Sequence, residues 1–167
     1  KKELLYIESV LDNLSRISSL SELEEIREEL ILSGYLRRNT KQKPKSYKAS
    51  PKKYVSEKGF EIFVGKNNRE NDFLTLKFAD KTDIWLHTKN IPGSHTVIIT
   101  RGKEVDEETL LFAARLAAAN SKGADGDNIP VDYTLVKHVK KPNGAKAGMV
   151  IYTNNKTLYV TPLKETL

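Results

Sequence analysis

Apolar positions recur along this chain with two different periods, and the change of period divides it. Over residues 3–17, Leu4, Ile7, Leu11 and Leu14 follow one another at spacings of three and four, which puts them on one face of a helix. A second helical seam, Leu23, Ile26 and Leu30, comes next. Ser21 with Glu24 three residues later reads as a capping box at its start, and Gly34 as its stop. The two helices, joined near Ser18-Ser19, form either a hairpin packed on its own domain or the end of a longer antiparallel coiled coil. The narrow seam and a start already inside a helical pattern favour the coiled-coil end, and with it a longer parent chain.

From residue 59 the dominant period is two. Phe60–Val64 alternates as a short strand, ended by Gly65 and Asn67-Asn68. Residues 71–79 fit both periods, and Asn71-Asp72 as a helix start tips the expectation to helix. Asp83–His87 and His95–Thr100 are β-rich runs on either side of a Pro92-Gly93 turn. Residues 106–122 predict a helix capped by Asp106, with Glu107 and Glu108 facing its dipole and Gly123 at its end. Val131–Val139 reads as a strand, Lys140–Gly144 as a basic turn, and Met149–Thr153 with Leu158–Val160 as a hairpin about Asn154-Asn155. The expected fold is α+β. It has a mostly antiparallel sheet of five or six strands with two helices, preceded by the helical hairpin or coiled-coil stub. Its expected parts are residues 1–36, a basic linker over 37–58, and the α+β domain over 59–167.

Charge sharpens this division. The net charge of the 167 residues is +6, yet residues 1–36 carry net −4. Residues 37–58 hold nine basic groups against Glu57 alone, with Pro44 and Pro51 and no periodicity. A positive field concentrated in one segment points to a polyanion partner. Tyr35, Tyr47 and Tyr54 flank or interleave these lysines, a pattern that suits stacking on single-stranded nucleic acid and equally suits a solvated linker. The absence of cysteine excludes disulfides and thiolate metal sites, and fits a cytoplasmic origin. No apolar run approaches the ~18 residues a membrane span requires, so no membrane insertion is expected.

Candidate chemistry gathers in the stretch from Asp83 to Ile99, which holds the one tryptophan, Trp85, and two of the three histidines. Asp83, His87, His95 and His138 could converge on a metal, but their spacing fits no standard zinc pattern. The alternative is that His87 and His95 brace the loop through hydrogen bonds. Ser94 and His95, as strand neighbours, point to opposite faces and cannot pair simply as nucleophile and base. Gly123–Asp127 resembles a calcium loop in composition only, lacking the spacing and the closing glutamate. No metal, cofactor or catalytic role is expected. An anion-binding surface is the more specific reading. Gly93, Ser94 and Lys89 would supply one turn of it, and Lys137, His138, Lys140, Lys141 and Lys146 a second, if both turns lie on one edge of the sheet.

The run Asp83-x-Trp85-x-His87, then Pro92-Gly93-Ser94-His95 leading into Val97-Ile98-Ile99, resembles the C-terminal NFACT-R region of NFACT proteins, in their bacterial RqcH or fibronectin-binding protein A-like branch. Supporting matches are Gly65-x-Asn67-x-x-x-Asn71-Asp72, Val131–Thr134 and Val139–Gly148. The resemblance covers about residues 59–161, and makes residues 1–36 similar to the end of the family's coiled-coil region. It implies a non-enzymatic RNA-binding module of a ribosome-associated quality control factor. Such factors bind the large ribosomal subunit and tRNA and support alanine tailing of stalled chains. It also implies a cytoplasmic location. Fibronectin binding at the cell surface, without a signal peptide, is the alternative. Lys52, Lys53, Lys89, Gly93, Ser94, His95, Lys137, Lys140, Lys141 and Lys146 are the expected RNA contacts. Asn71, Asp72, Asp83, Trp85 and His87 are expected to shape the fold.

Overall fold

The computed structural model describes residues 1–39, 41, 43 and 46–164; Pro44 and Lys45 of the basic segment lie outside the described residues. Its centre is a six-stranded antiparallel sheet. β1 (Lys52–Val55) pairs with β2 (Glu61–Val64), β2 with β4 (Thr96–Ile99), β4 with β3 (Ile84–Thr88), β3 with β5 (Ile129–Leu135), and β5 with β8 (Lys156–Val160). The sheet therefore begins inside the segment expected to be linker. Tyr54, partly buried, packs into the core while Lys52 and Lys53 stay outside.

Alternation along these strands makes two cores. Ile62, Val64, Leu86, Ile98, Val131 and Val160 face α4 (Glu107–Ala119), whose Ala113, Ala114, Ala117 and Ala118 allow close approach to the sheet. Asp106 caps α4 as expected, accepting the Thr109 amide at 3.0 Å, and the helix ends at Ala119 rather than running to Gly123. The opposite face carries Trp85 and Val97, packed under Leu74, Val136 and Val139. Burying side chains of this size contributes about 1.5–3 kcal/mol each.

Over this second face lie α3 (Asn68–Asp72), a π-helical turn at Phe73–Phe78, and a small sheet of β6 (Val139–Lys140) with β7 (Ile151–Tyr152). The expected helix over 71–79 is present, but Asn67 caps it and Asn71-Asp72 lie within it. The expected 149–160 hairpin does not form: β7 pairs with β6 and β8 with β5. Leu158 and Val160 pack in the α4 core and Tyr152 in the other, so β8 joins the main sheet at its edge while β7 joins the small sheet over the second face. Asp132 spans them, accepting the Tyr152 and Thr157 hydroxyls, each at 2.6 Å. The strand expected at 131–139 stops at Leu135, where a 3-10 turn at Val136–His138 redirects the chain into β6.

α1 (Lys2–Ser15) and α2 (Leu20–Leu32) form the expected helical pair. Ser19 caps α2 by accepting the Glu22 amide at 3.2 Å, and Glu22 accepts the Ser18 amide at 2.6 Å, so the capping residues lie two positions before Ser21 and Glu24. The expected seam is turned outward in part: Leu4 and Leu11 are 61% and 60% exposed, while Tyr6, Ser9, Val10 and Asn13 are buried. A polar interface with α3 selects that face, because Asn68 meets both Ser9 and Glu29 there.

Candidate nucleic-acid interface

The strand register gives the sheet two distinct ends. His95, just before β4, lies at the end where β3 finishes in His87 and Thr88, since Thr96 stands opposite Leu86. His95 is 1% exposed and fully engaged. Its Nε2 faces the Gly148 carbonyl at 3.0 Å and its Nδ1 the Thr75 hydroxyl at 2.7 Å. A carbonyl only accepts, so Nε2 carries the proton and Nδ1 accepts from Thr75. Burial, with His87 close by, pushes the His95 pKa down to about 3, which keeps the ring neutral. Burial also holds His87 below the usual imidazole range, and its ring stacks on Trp85 at 5.7 Å. Among the described residues no group of three or more His, Asp or Glu is placed to hold a metal ion.

The loop before His95 is closed by its neighbours. Ser94, 2% exposed, donates its amide to Asn120, and Gly93 bridges Ser121. A Cβ on Gly93 would stand 2.8 Å from the Thr88 hydroxyl, so this contact needs glycine. Asn71 accepts the His95 amide at 3.1 Å, and Asp72 accepts the Gly148 amide at 3.0 Å. Lys141 is drawn in as well. Its ammonium meets Asp72 at 3.2 Å and the carbonyls of Lys146 and Met149 at 2.7 and 3.3 Å. Burial nevertheless leaves the Asp72 carboxyl above its ordinary range. Lys146 stands over the rings of Tyr6 and Tyr35, at 5.5 and 4.9 Å, where the 140–149 turn meets α1. α1 and α2 cover this end: Arg16 reaches Ser94 at 3.4 Å, Glu25 accepts from Asn67, and Tyr6 and Asn68 share Glu29.

The other end is organised by Asp83, which is 1% exposed. Its carboxylate accepts the Thr100 and Asp80 amides, both at 2.8 Å, and its carbonyl accepts the Val136 amide at 2.9 Å. The 80–83 turn, the exit of β4 and the exit of β5 are thereby tied together. Lys137 donates its amide to the Lys81 carbonyl, and Lys103 to the Thr100 carbonyl. Lys81, Arg101, Lys103 and Lys137 are all exposed. Beside them the π-turn buries Leu74 and Thr75 and leaves Leu76, Lys77 and Phe78 exposed.

The structure thus separates the expected contacts. Lys137 lies at the Asp83 end, whereas Lys89, bonded to Pro130, lies at the opposite one, where the turn carrying Lys141 and Lys146 also packs beside His95, so the second basic cluster is split between the two ends. Gly93, Ser94 and His95 are not presented at an open edge, because neighbouring backbone and α1 close over them. Lys141 and Lys146 hold the turn that carries them, while Lys140 is exposed on β6. Lys52 stands over Tyr54 and Lys53 pairs with Glu61, both on the edge strand. Of the residues expected to shape the fold, Asn71, Asp72 and Asp83 accept the backbone amides named above, Trp85 is buried, and His87 stacks on it. Lys77, Lys81, Arg101 and Lys103 were passed over in the sequence. The Asp83 contacts gather the segments of Lys81, Arg101 and Lys103, while Lys77 stands on the π-turn that precedes them.

With this geometry in view, comparison with known proteins places the fold. Residues 51–154 match the NFACT protein RNA binding domain, and the chain belongs to that family. It is 46% identical over its whole length to the Rqc2 homolog RqcH of Bacillus subtilis, and 43% identical over 99% of its length to that of Streptococcus suis. It spans 29% and 30% of those two proteins. The solved C-terminal part of the fibronectin/fibrinogen-binding protein from Streptococcus suis is similar to 98% of this chain, and the match covers 65% of that structure. The two superpose with a TM-score of 0.90 at 43% identity. No helix among the described residues is long and apolar enough to cross a membrane.

Proposed function

We propose that this chain is the RNA-binding module of a ribosome-associated quality control factor, binding tRNA and the large ribosomal subunit and so supporting alanine tailing by its parent protein. Membership of the NFACT protein RNA binding domain family carries this reading. Likeness of the whole of this chain to part of RqcH supports the quality-control setting and a cytosolic location. Net charge +6 and exposed Lys137 and Lys140 supply cations for phosphate contact. The test is a titration of tRNA, and of a large-subunit RNA fragment, at low and moderate salt. Log affinity falling linearly with log salt supports the reading, through release of condensed counterions. Affinity absent at low salt contradicts it.

A second reading rests on β8, whose outer edge no described strand pairs and whose Tyr159 is 64% exposed. Strand addition there would suit the fibronectin binding that the similar streptococcal protein is named for. Immobilised fibronectin that retains the chain, with tRNA unable to compete, would support it. No retention at micromolar chain would remove it.

A further inference from the structure

We infer that the open, Asp83-tied end of the sheet is the RNA-contacting face, and that Phe78 on the π-turn stacks on an unpaired base while Lys77, Lys81, Arg101 and Lys137 hold the flanking phosphates. The inference rests on the RNA-binding reading and names the site for it.

Three observations converge. First, the cations come from separate segments, the π-turn, the 80–83 turn, the exit of β4 and the exit of β5, and Asp83 binds the last three into one rim. Lys137 and Lys81 are joined through their backbones at 3.1 Å, so their spacing is set by the fold rather than by flexible chain. Second, an exposed aromatic ring lies on the same segment as two of them, between Lys77 and Lys81. Phe78 lies three residues before Lys81 and remains 45% exposed, with Leu76 43% exposed beside it. It is held edge-on by Phe63 at 4.9 Å and met by the tilted ring of Phe73 at 5.9 Å, so the ring is braced while much of it meets solvent. A braced aromatic beside cations is the arrangement that accepts an unpaired base with its backbone. Third, the π-turn is what aims it. The Ala79 amide bonds to the Leu74 carbonyl, five residues back, which widens the last turn while Leu74 and Thr75 stay buried. Such turns recur at functional sites. Counter-charges are present: Asp80 is exposed in the same turn, and Glu61 pairs with Arg101 at 2.6 Å. Arg101 is itself 74% exposed and can exchange that partner for a phosphate.

The test measures binding of a labelled oligoadenylate, and of the same strand paired to oligouridylate, across a salt series. Lys81→Gln with Lys137→Gln should lower the slope of log affinity against log salt by about 1.4 for the single strand. Phe78→Ala and Phe78→Leu should each weaken the single strand about tenfold and leave the duplex little changed. Phe78→Leu keeps an apolar side chain on Phe63, so its loss reports stacking rather than folding. Lys89→Gln, at the far end, should match the parent chain. Parent binding with the Lys81, Lys137 and Phe78 variants unaffected overturns this site and leaves the RNA reading standing. Failure of the parent chain to bind either probe removes both.

Discussion

At the His95 end of the sheet, Lys141 and Lys146 turn inward and hold the structure; at the Asp83 end, Lys81, Lys103 and Lys137 face water. Lys141 donates to two carbonyls and a carboxylate beneath a turn that α1 covers. Lys137 gives only its backbone to the fold and leaves its ammonium outside. The difference comes from what covers each end. α1 and α2 close the first through Tyr6, Ser9, Arg16, Glu25 and Glu29. At the second, the buried carboxylate of Asp83 accepts the Asp80 and Thr100 amides, and the nearby Lys81, Lys103 and Lys137 stay exposed. A count of lysines therefore does not locate a nucleic-acid face; what their ammonium groups already touch does.

The largest expected effect lies at the closed end. His95→Ala leaves the Gly148 carbonyl and Thr75 hydroxyl without their partner and opens a cavity beside Trp85. It should cost about 3–4 kcal/mol by urea denaturation. A cost below about 1 kcal/mol would break the contrast between the two ends.

Acid should act through the same residue. The folded chain holds His95 down to about 3, whereas the unfolded chain takes up that proton near 6.5. Stability from this group is complete above about 6.5 and falls as pH drops towards 3, by about 2 kcal/mol at pH 5. His87, also lowered, acts in the same direction. Asp12, Glu29 and Asp72, raised by burial, act oppositely, because the folded chain takes up their protons first as pH falls. Urea midpoints near pH 7 and pH 5 check the sign, and His95→Gln should flatten the dependence.

A direct exchange sharpens the comparison further. Lys141→Ala should cost about 1–3 kcal/mol of stability, through two orphaned carbonyls and an unpaired carboxylate. Lys137→Ala should change stability by less than about 0.5 kcal/mol. RNA affinity should rank the two in the reverse order. Smallest of all, Leu4→Ser and Leu11→Ser should shift the melting temperature little, since both side chains already stand in water.

Much of this was legible in the chain. The α+β class, the Asp106 cap and the strands on either side of Pro92-Gly93 follow from period and turn chemistry, which are local. The capping pair at Ser19 and Glu22, the buried face of α1 and the parting of β7 from β8 were not, because each is decided by a partner distant in sequence. Asn68 selects the face of α1, and Asp132 bridges Tyr152 and Thr157. The site shows the same limit. Lys140, Lys141 and Lys146 stood out as a run, yet two of them are occupied. Lys81 and Arg101 are isolated in sequence, and only the three segments tied by Asp83 bring them to one rim with Lys137.

The most direct measurement is a titration of the isotope-labelled chain with an unpaired RNA, following each backbone amide by NMR. The account predicts that Lys77, Phe78, Lys81, Arg101 and Lys137 shift together on binding while Lys89, Ser94, His95 and Lys146 stay in place. Shifts centred on Ser94, His95 and Lys146, with the Asp83 end unmoved, would contradict it.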